Sequence, residues 1–370
     1  MAFSVYIILI SINLIIGTKS MIYETNKLFK NEKSLFISII TFIGCFYLLA
    51  GYRNNSGLSN DVSNGGYEYY AIEKNNASSY EIGYVLLMKL GQLFNYSYFD
   101  WRRLVFFISL FIIFLCIYYF SDNPHIIYSL FSAYLIILSA EQIRNTIALS
   151  FFLVGLFTYL FTKIKEKRII YVIFTILAGL IHSMFFLYLF LLFLDITFSE
   201  KNVKRIAAVV CLFCIVIFLN NNTIPGFNAI ISHISNERAD NYFIHKTRYG
   251  FLYPMVLHLS SVMLTYIASK NSSNEAIYKI HKLNLITMIW FPLFMINLSF
   301  YRISRNILLI TYFAQADILS DDRILLKKKA YSLLLLIISV LLWIYIDLFI
   351  TTPPEALLIP FFEDNVLFLA

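Results

Sequence analysis

The sequence predicts an all-α protein, a polytopic membrane helical bundle of about twelve transmembrane helices. Three observations predict it. The first is composition: of 370 residues, 59% are hydrophobic and 14% charged, against about a quarter charged in soluble domains, and mean hydropathy is +0.73. The second is that the apolar residues come in runs near the ~20-residue length of a bilayer crossing. These runs do not alternate as barrel strands do, and lipid leaves only helices or closed barrels able to satisfy every backbone group. The third is where the charge lies. The net charge is +7, but Lys and Arg gather in short loops between the runs, the pattern of membrane topogenesis rather than of nucleic-acid binding.

The expected spans are 2–17, 34–51, 103–120, 125–140, 145–162, 169–182, 184–198, 203–220, 251–268, 283–300, 306–319 and 330–350. Residues 1–370 are expected to form a single integral membrane domain, with outer loops at about 52–102 and 221–250. Met1–Gly17 lacks a basic leader region and reads as a retained span rather than a signal peptide. As one helix, 169–198 would be about 45 Å long against a hydrocarbon core of about 30 Å. A break near His182-Ser183 is expected instead, and it keeps the basic loop Arg323, Lys327, Lys328, Lys329 on the inner side with most other Lys and Arg. Both termini then face outward. The cysteines Cys45, Cys116, Cys211 and Cys214 all lie in apolar runs. The Cys211-x-x-Cys214 spacing has no histidine or charge nearby, so these read as small buried residues, and no metal site or cofactor is expected.

Basic residues divide by type across this topology. The inner loops are nearly all lysine, whereas the outer segments carry Arg53, Arg102, Arg103, Arg144, Arg238, Arg248, Arg302 and Arg305. Topology needs only positive charge, but the planar fork of arginine binds phosphate or carboxylate through two parallel hydrogen bonds. An anionic ligand, a phosphate or diphosphate, is therefore expected at the outer face.

The polar island Gly51–Tyr70 follows the second span and holds Arg53, Gly57, Asp61, Tyr67 and Tyr70. An arginine, a carboxylate and tyrosines leaving a span together suit a hydroxyl-rich anionic ligand. Glu81 then opens a stretch whose Ile82, Val85, Leu86, Leu90 and Leu93 share one helical face, as in a helix lying on the membrane surface and capped by Ser78 or Ser79. Arg102 and Arg103 read as interface anchors. Arg144, in Glu141-Gln142-Ile143-Arg144-Asn145, places much polarity at the end of an apolar hairpin; its plain alternative is an i, i+3 ion pair with Glu141. His182 is the general-base candidate by residue type, while His125, His233, His245, His258 and His281 are set aside as lying at span ends or in loops. Arg302 and Arg305 share a helical face and read as a phosphate clamp, and Arg248, less accompanied by acids than Arg238, is the better candidate in its loop.

Several of these residues form a familiar pattern. Tyr52-Arg53, Gly57, Asp61, Tyr67 and Tyr70 resemble the first outer loop of the EpsG family of bacterial polysaccharide polymerases. So do Glu81-Ile82-Gly83-Tyr84, Gln142-x-Arg144-x-x-x-Ala148 and Ala178-Gly179-Leu180-Ile181-His182-Ser183, with a weaker match at Tyr301-Arg302 and Arg305. The resemblance covers roughly residues 40–310; Asn60 stands where family members usually have Thr or Ser. It implies a Wzy-type enzyme, similar in architecture to multispan polyprenyl-dependent glycosyltransferases. Such an enzyme transfers a growing glycan from undecaprenyl diphosphate onto the next lipid-linked repeat unit at the outer face of the bacterial inner (plasma) membrane. It needs no cofactor and no nucleic acid; membrane lipid, a flippase and a chain-length regulator are its candidate partners. Under it, His182 is the first choice of base and Asp61 the second; Arg144, Arg248, Arg302 and Arg305 meet the diphosphate, and Arg53, Tyr67, Tyr70 and Glu81 hold sugars. Rival readings are a flippase for the same lipid and a membrane acyltransferase. Against them, charges within the spans are few, Asp195 and Asp347 among them, and no inner-side polar cluster is visible.

Overall fold

The computed structural model describes residues 1–22, 32–54, 61–74, 78, 80–195, 200–223 and 248–368. Gly57, Ser79, His233, Arg238 and His245 lie outside these residues. The described chain is helical, and its only β feature is an isolated antiparallel bridge between Tyr52 and Asn365.

In chain order the helices are α1 (Ala2–Ile22), α2 (Glu32–Gly51), α3 (Asp61–Glu73), α4 (Ile82–Leu93) and α5 (Tyr98–Phe120). Then come α6 (Pro124–Leu130), a π-helical turn (Phe131–Leu135), α7 (Ile136–Glu141), α8 (Ile143–Phe161) and α9 (Lys167–Ile181), which runs into a 3-10 helix, Ser183–Asp195. They continue with α10 (Glu200–Leu219), α11 (Leu252–Asn271), α12 (Glu275–Thr287), α13 (Phe291–Ile296), α14 (Arg302–Asn306) and α15 (Leu308–Ser320). The last are α16 (Leu326–Tyr345), which extends through a second π turn (Ile346–Thr351), and α17 (Leu358–Glu363).

Among the described residues, eight segments are long and apolar enough to cross a membrane: Ala2–Lys19, Glu32–Gly51, Tyr98–Phe120, Pro124–Glu141, Ile143–Phe161, Lys201–Leu219, Leu252–Asn271 and Leu326–Thr351. The protein is a polytopic helical membrane protein. The other four expected spans coincide with shorter or broken helices. α9 has 15 residues and α15 has 13, about 20 Å of helix against a core of about 30 Å. The expected break at His182 is present: its backbone is extended (φ −145°, ψ 107°) between α9 and the 3-10 helix. The run 283–300 breaks at Asn297 (φ −148°, ψ 131°), whose side chain caps the Ser299 amide.

Contacts divide the chain into two compact units, Met1–Phe190 with Ala316–Ala370, and Leu191–Gln315. In the first, α6, α7 and α8 are the most buried. Their buried faces carry small and hydroxyl residues, Ser129, Ser132, Ser139, Thr146 and Ser150, and Ser139, Thr146 and Ser150 bond back to carbonyls of nearby turns. In lipid, apolar bulk does not distinguish inside from outside, so close helix contact falls to small residues and internally satisfied polar ones. α5 instead turns Phe107, Phe111 and Leu115 outward.

Two polar knots tie the long helices of this unit. His125 bonds Asn13 and Ser34, each at 2.8 Å, and Asn13 donates to Thr41, joining α1, α2 and α6. Tyr134, in the first π turn, donates to Asp347, in the second, at 2.5 Å, and both are fully buried. In the second unit, His258 bonds the Asn284 carbonyl at 2.9 Å and Gln315 donates to the Leu264 carbonyl. The histidines at 125, 258 and 281, set aside on sequence grounds, are all buried in such contacts. Removing the hydroxyl in Tyr134→Phe takes one donor from a buried carboxyl, which costs about 1–3 kcal/mol. Thermal unfolding in detergent is expected to show a lowered midpoint, and an unchanged one would mean that Asp347 is satisfied elsewhere.

Candidate functional site

In the first unit, three chain segments far apart in sequence meet at Glu81. Glu81 precedes α4 with an extended backbone (φ −63°, ψ 145°), and its side chain does not cap the helix. Its carboxylate instead spans two neighbours. Oε2 accepts from Arg144 Nη1 at 2.9 Å. Oε1 accepts from the Ser183 amide and from the Ser183 hydroxyl, each at 3.1 Å, and lies 4.0 Å from His182 Nδ1. The side chains are partly exposed, 27% for Arg144, 22% for Glu81 and 12% for His182, so a ligand can reach them although protein surrounds most of each.

Helix ends create this meeting. α9 stops at Ile181, and the extended His182 turns its ring and the Ser183 amide towards α4. α4 comes close because residue 83 is glycine; a Cβ there would stand 2.7 Å from the Leu180 carbonyl oxygen. The motifs Glu81-Ile82-Gly83-Tyr84 and Gly179-Leu180-Ile181-His182-Ser183 are thus the two sides of one contact. Arg144 comes from a third helix end. α7 ends at Glu141, Gln142 is non-helical (φ −96°, ψ 62°), and α8 begins at Ile143. The Arg144 guanidinium also lies 4.3 Å from the centre of the Tyr80 ring, a cation–π contact.

The break at Gln142 overturns the i, i+3 ion pair between Glu141 and Arg144, because the two residues lie in different helices. Glu141 is 6% exposed. It accepts from Tyr52 Oη at 2.5 Å, Asn54 Nδ2 at 2.9 Å and the Val62 amide, near the start of α3, at 3.3 Å. Arg102 is no interface anchor: it is 1% exposed and donates to the Tyr52 carbonyl at 2.6 Å and to the Ala140 carbonyl. Arg103 does behave as a surface residue, paired with Asp100 at 3.0 Å. Sequence reasoning gave neither residue this place: it read Glu141 as the partner of Arg144 and Arg102 as an interface anchor. Their only signal was adjacency, Glu141 to Gln142-Ile143-Arg144 and Arg102 to the start of a span.

The other expected residues of this unit lie along the same end. Arg53 is half-buried, with its guanidinium 3.9 Å from the centre of the Phe99 ring and Nη1 on the Ala50 and Tyr52 carbonyls. Burial, then the neighbouring Arg103 and Arg102 guanidiniums, pushes it down to about 10; it stays cationic at neutral pH. Asp61 is the exposed first residue of α3 and acts electrostatically on Arg144. Residues 61–73 are helix rather than loop, which separates the tyrosines. Tyr67 is 75% exposed, Tyr69 is buried, and Tyr70 is exposed with its hydroxyl accepting from the Tyr98 amide. α4 has its expected amphipathic form, with Ile82, Leu86, Leu90 and Leu93 exposed and Tyr84, Met88 and Gly91 buried.

Arg248, Arg302 and Arg305 belong to the second unit. Arg305 is 2% exposed and turned onto Tyr301, donating to its hydroxyl at 3.0 Å. Arg302 is half-buried, and its Nε has no hydrogen-bond partner among the described residues. Arg248 is exposed, with its guanidinium 5.5 Å from the centre of the Tyr249 ring. Among the described residues, no group of His, Cys, Asp and Glu is arranged to hold a metal ion.

Burial pushes the Glu81 carboxyl up, but Arg144, the Ser183 amide and His182 outweigh it and hold the group below its ordinary value of 4.5. A depressed carboxyl stabilises the fold above its unfolded value, and that contribution is lost as pH falls through the folded one. Glu81→Gln is therefore expected to unfold more readily than the parent protein at neutral pH, with the gap closing below pH 4.5. Melting curves across pH check this; a gap that persists in acid would place the loss outside the ionised carboxylate. Gly83→Ala is expected to cost about 1–3 kcal/mol by forcing α4 away from Leu180, read from the same curves.

No curated protein and no solved structure matches the chain. The family model of EpsG proteins matches residues 36–362, and EpsG-type proteins are Wzy-like polymerases. That match takes in all three segments that meet at Glu81, and it covers most of the sequence: the chain belongs to the EpsG family.

Proposed function

We propose that the protein is an oligosaccharide repeat-unit polymerase that works at the outer face of the bacterial inner membrane. It transfers a growing glycan from undecaprenyl diphosphate onto the next lipid-linked unit. Family membership supports polymerase chemistry in exopolysaccharide synthesis. The observation that carries the reading is the joining of a guanidinium, a carboxylate and an imidazole from three helix ends, partly exposed, in a chain that crosses the membrane.

The chemistry assigns a task to each group. A hydroxyl of the acceptor sugar loses its proton to His182 as its oxygen bonds the anomeric carbon of the donor. The bond from that carbon to the diphosphate oxygen breaks, and undecaprenyl diphosphate leaves with the electron pair. Arg144 stabilises the charge that develops on the leaving group, already aimed by Glu81 and Tyr80 and so without reorganisation. Glu81, held ionised 4.0 Å from the imidazole, supports the charge it acquires. Arg53, Asp61, Tyr67 and Tyr70, along the same end, hold sugar hydroxyls and rings.

His182→Ala is expected to abolish polymerisation while the protein level stays normal, so that a ladder of lipid-linked glycans collapses to the single repeat unit. Full ladders in that variant would remove His182 from the mechanism. Arg144→Lys keeps the charge but loses the fork, and a drop of about 10²–10³ in polymerisation rate is expected if the arginine meets the transition state. Single units trapped on the cytoplasmic face after loss of the gene would favour a flippase instead.

A further inference from the structure

α2 ends at Gly51, and carbonyls at the C-terminus of a helix need donors from outside it. At this end the donors come from far along the chain. Asn365, fully buried, donates its side-chain amide to the Leu48 carbonyl at 2.9 Å, 317 positions away. The Val366 amide donates to the Gly51 carbonyl at 2.9 Å. Arg53 turns back on the same end and donates Nη1 to the Ala50 carbonyl at 3.2 Å. The end of α2 is thus capped jointly by the segment 354–368 and by the arginine that follows it.

The same segment reaches the residues that leave α2. The Arg53 amide donates to the Asp364 carbonyl at 3.2 Å, beside the bridge between Tyr52 and Asn365. Asn54 has a left-handed backbone, φ 51°, which asparagine tolerates better than most residues. Its Nδ2 donates both to Glu141 at 2.9 Å and to the Ala356 carbonyl at 3.2 Å. Glycine at 51 permits this fit, because a Cβ there would collide with Asn365 Oδ1.

We infer that Asn365 is a positioning residue for sugar binding: it ties the segment 354–368 to the end of α2 and so sets where the Arg53 guanidinium stands. The inference rests on the polymerase reading, which puts Arg53 on the sugars. Arg53 lies two residues past a helix end, where the backbone has no helical ladder to hold it. Its Nη1 bonds run to the Ala50 and Tyr52 carbonyls, within its own short stretch, and bonds inside a stretch do not fix where the stretch lies. Phe99, Arg102 and Glu141 hold that stretch from other helices. The segment 354–368 supplies the remaining anchors, on the backbone itself. A contact that acts on substrate binding and not on the leaving group changes KM and leaves kcat.

The full chain is assayed in membranes with the lipid-linked repeat unit extracted from cells lacking the gene. Asn365→Ala is expected to raise KM about two- to tenfold, the effect of one lost hydrogen bond, and to leave kcat within about twofold. Phenylglyoxal, which modifies guanidinium groups, is expected to label Arg53 about two- to tenfold faster in that variant, read by mass spectrometry on purified protein in detergent. Gly51→Ala is expected to act alike from the other side of the contact. The two changes together are expected to cost less than the sum of each alone, because the added methyl group no longer meets the Asn365 side chain. Asn365→Asp, which keeps the shape and loses the donor, takes the place of Asn365→Ala if that variant does not accumulate. An unchanged KM, or an Arg53 no more reactive than in the parent, would overturn the inference. So would a fall in kcat that only follows a fall in folded protein, the mark of a brace for the fold alone. Glycan ladders from cells with and without the gene separate this result from the polymerase reading. Ladders that need the gene, with Arg53 labelling unchanged, would leave the polymerase standing and remove Asn365 from its site. Ladders indifferent to the gene would remove the polymerase, and the labelling rate then decides by itself whether Asn365 places Arg53.

Discussion

Glu141 is buried at the end of α7, and the arrangement of the first unit depends on how it is satisfied. A carboxylate away from water needs donors, or its desolvation outweighs anything it contributes. Tyr52, Asn54 and the Val62 amide supply them, drawing in the segment that leaves α2 and the start of α3. Arg102 adds a compensating cation and donates to the carbonyls of Tyr52 and Ala140. The same few residues thus end one helix, break the chain at Gln142 and start the next. Arg144 stands where it does because α8 begins immediately after that break.

The candidate site is built by the same logic one step further out. Glu81, Arg144, His182 and Ser183 all sit at helix ends, where side chains can turn towards one another and backbone amides are unspent. Glu81 uses that freedom fully, taking one neighbour on each oxygen. The carboxylate bonds the guanidinium and the Ser183 amide and lies 4.0 Å from the imidazole, so the arginine is held in place before any substrate arrives. In the proposed reaction, the anionic leaving group would meet an arginine whose direction is already set by Glu81 and would compete with Glu81 for part of its charge. The buried polar knots elsewhere, His125 with Asn13 and Tyr134 with Asp347, differ in being closed: fully inside, they serve the packing of long helices in a medium that supplies no hydrogen bonds of its own.

The amino-acid sequence by itself determined that the chain is a helical membrane protein, since hydropathy and run length depend on composition alone. It also marked His182, Arg144, Glu81 and the break at 182, because ionisable groups within apolar runs stand out and an overlong run must be interrupted. The tertiary structure decided the pairings. Glu141 and Arg144, three residues apart, looked like partners until one non-helical residue between them sent Glu141 to Tyr52 and Arg144 to Glu81, 63 positions away. Arg102 and Arg103 are indistinguishable as letters, yet one is buried and the other faces outward, because adjacent residues on a helix point in different directions. Helix lengths were likewise settled by packing and breaks such as Asn297. Which charge meets which depends on where helices end and how those ends are packed, a long-range property that local spacing does not carry.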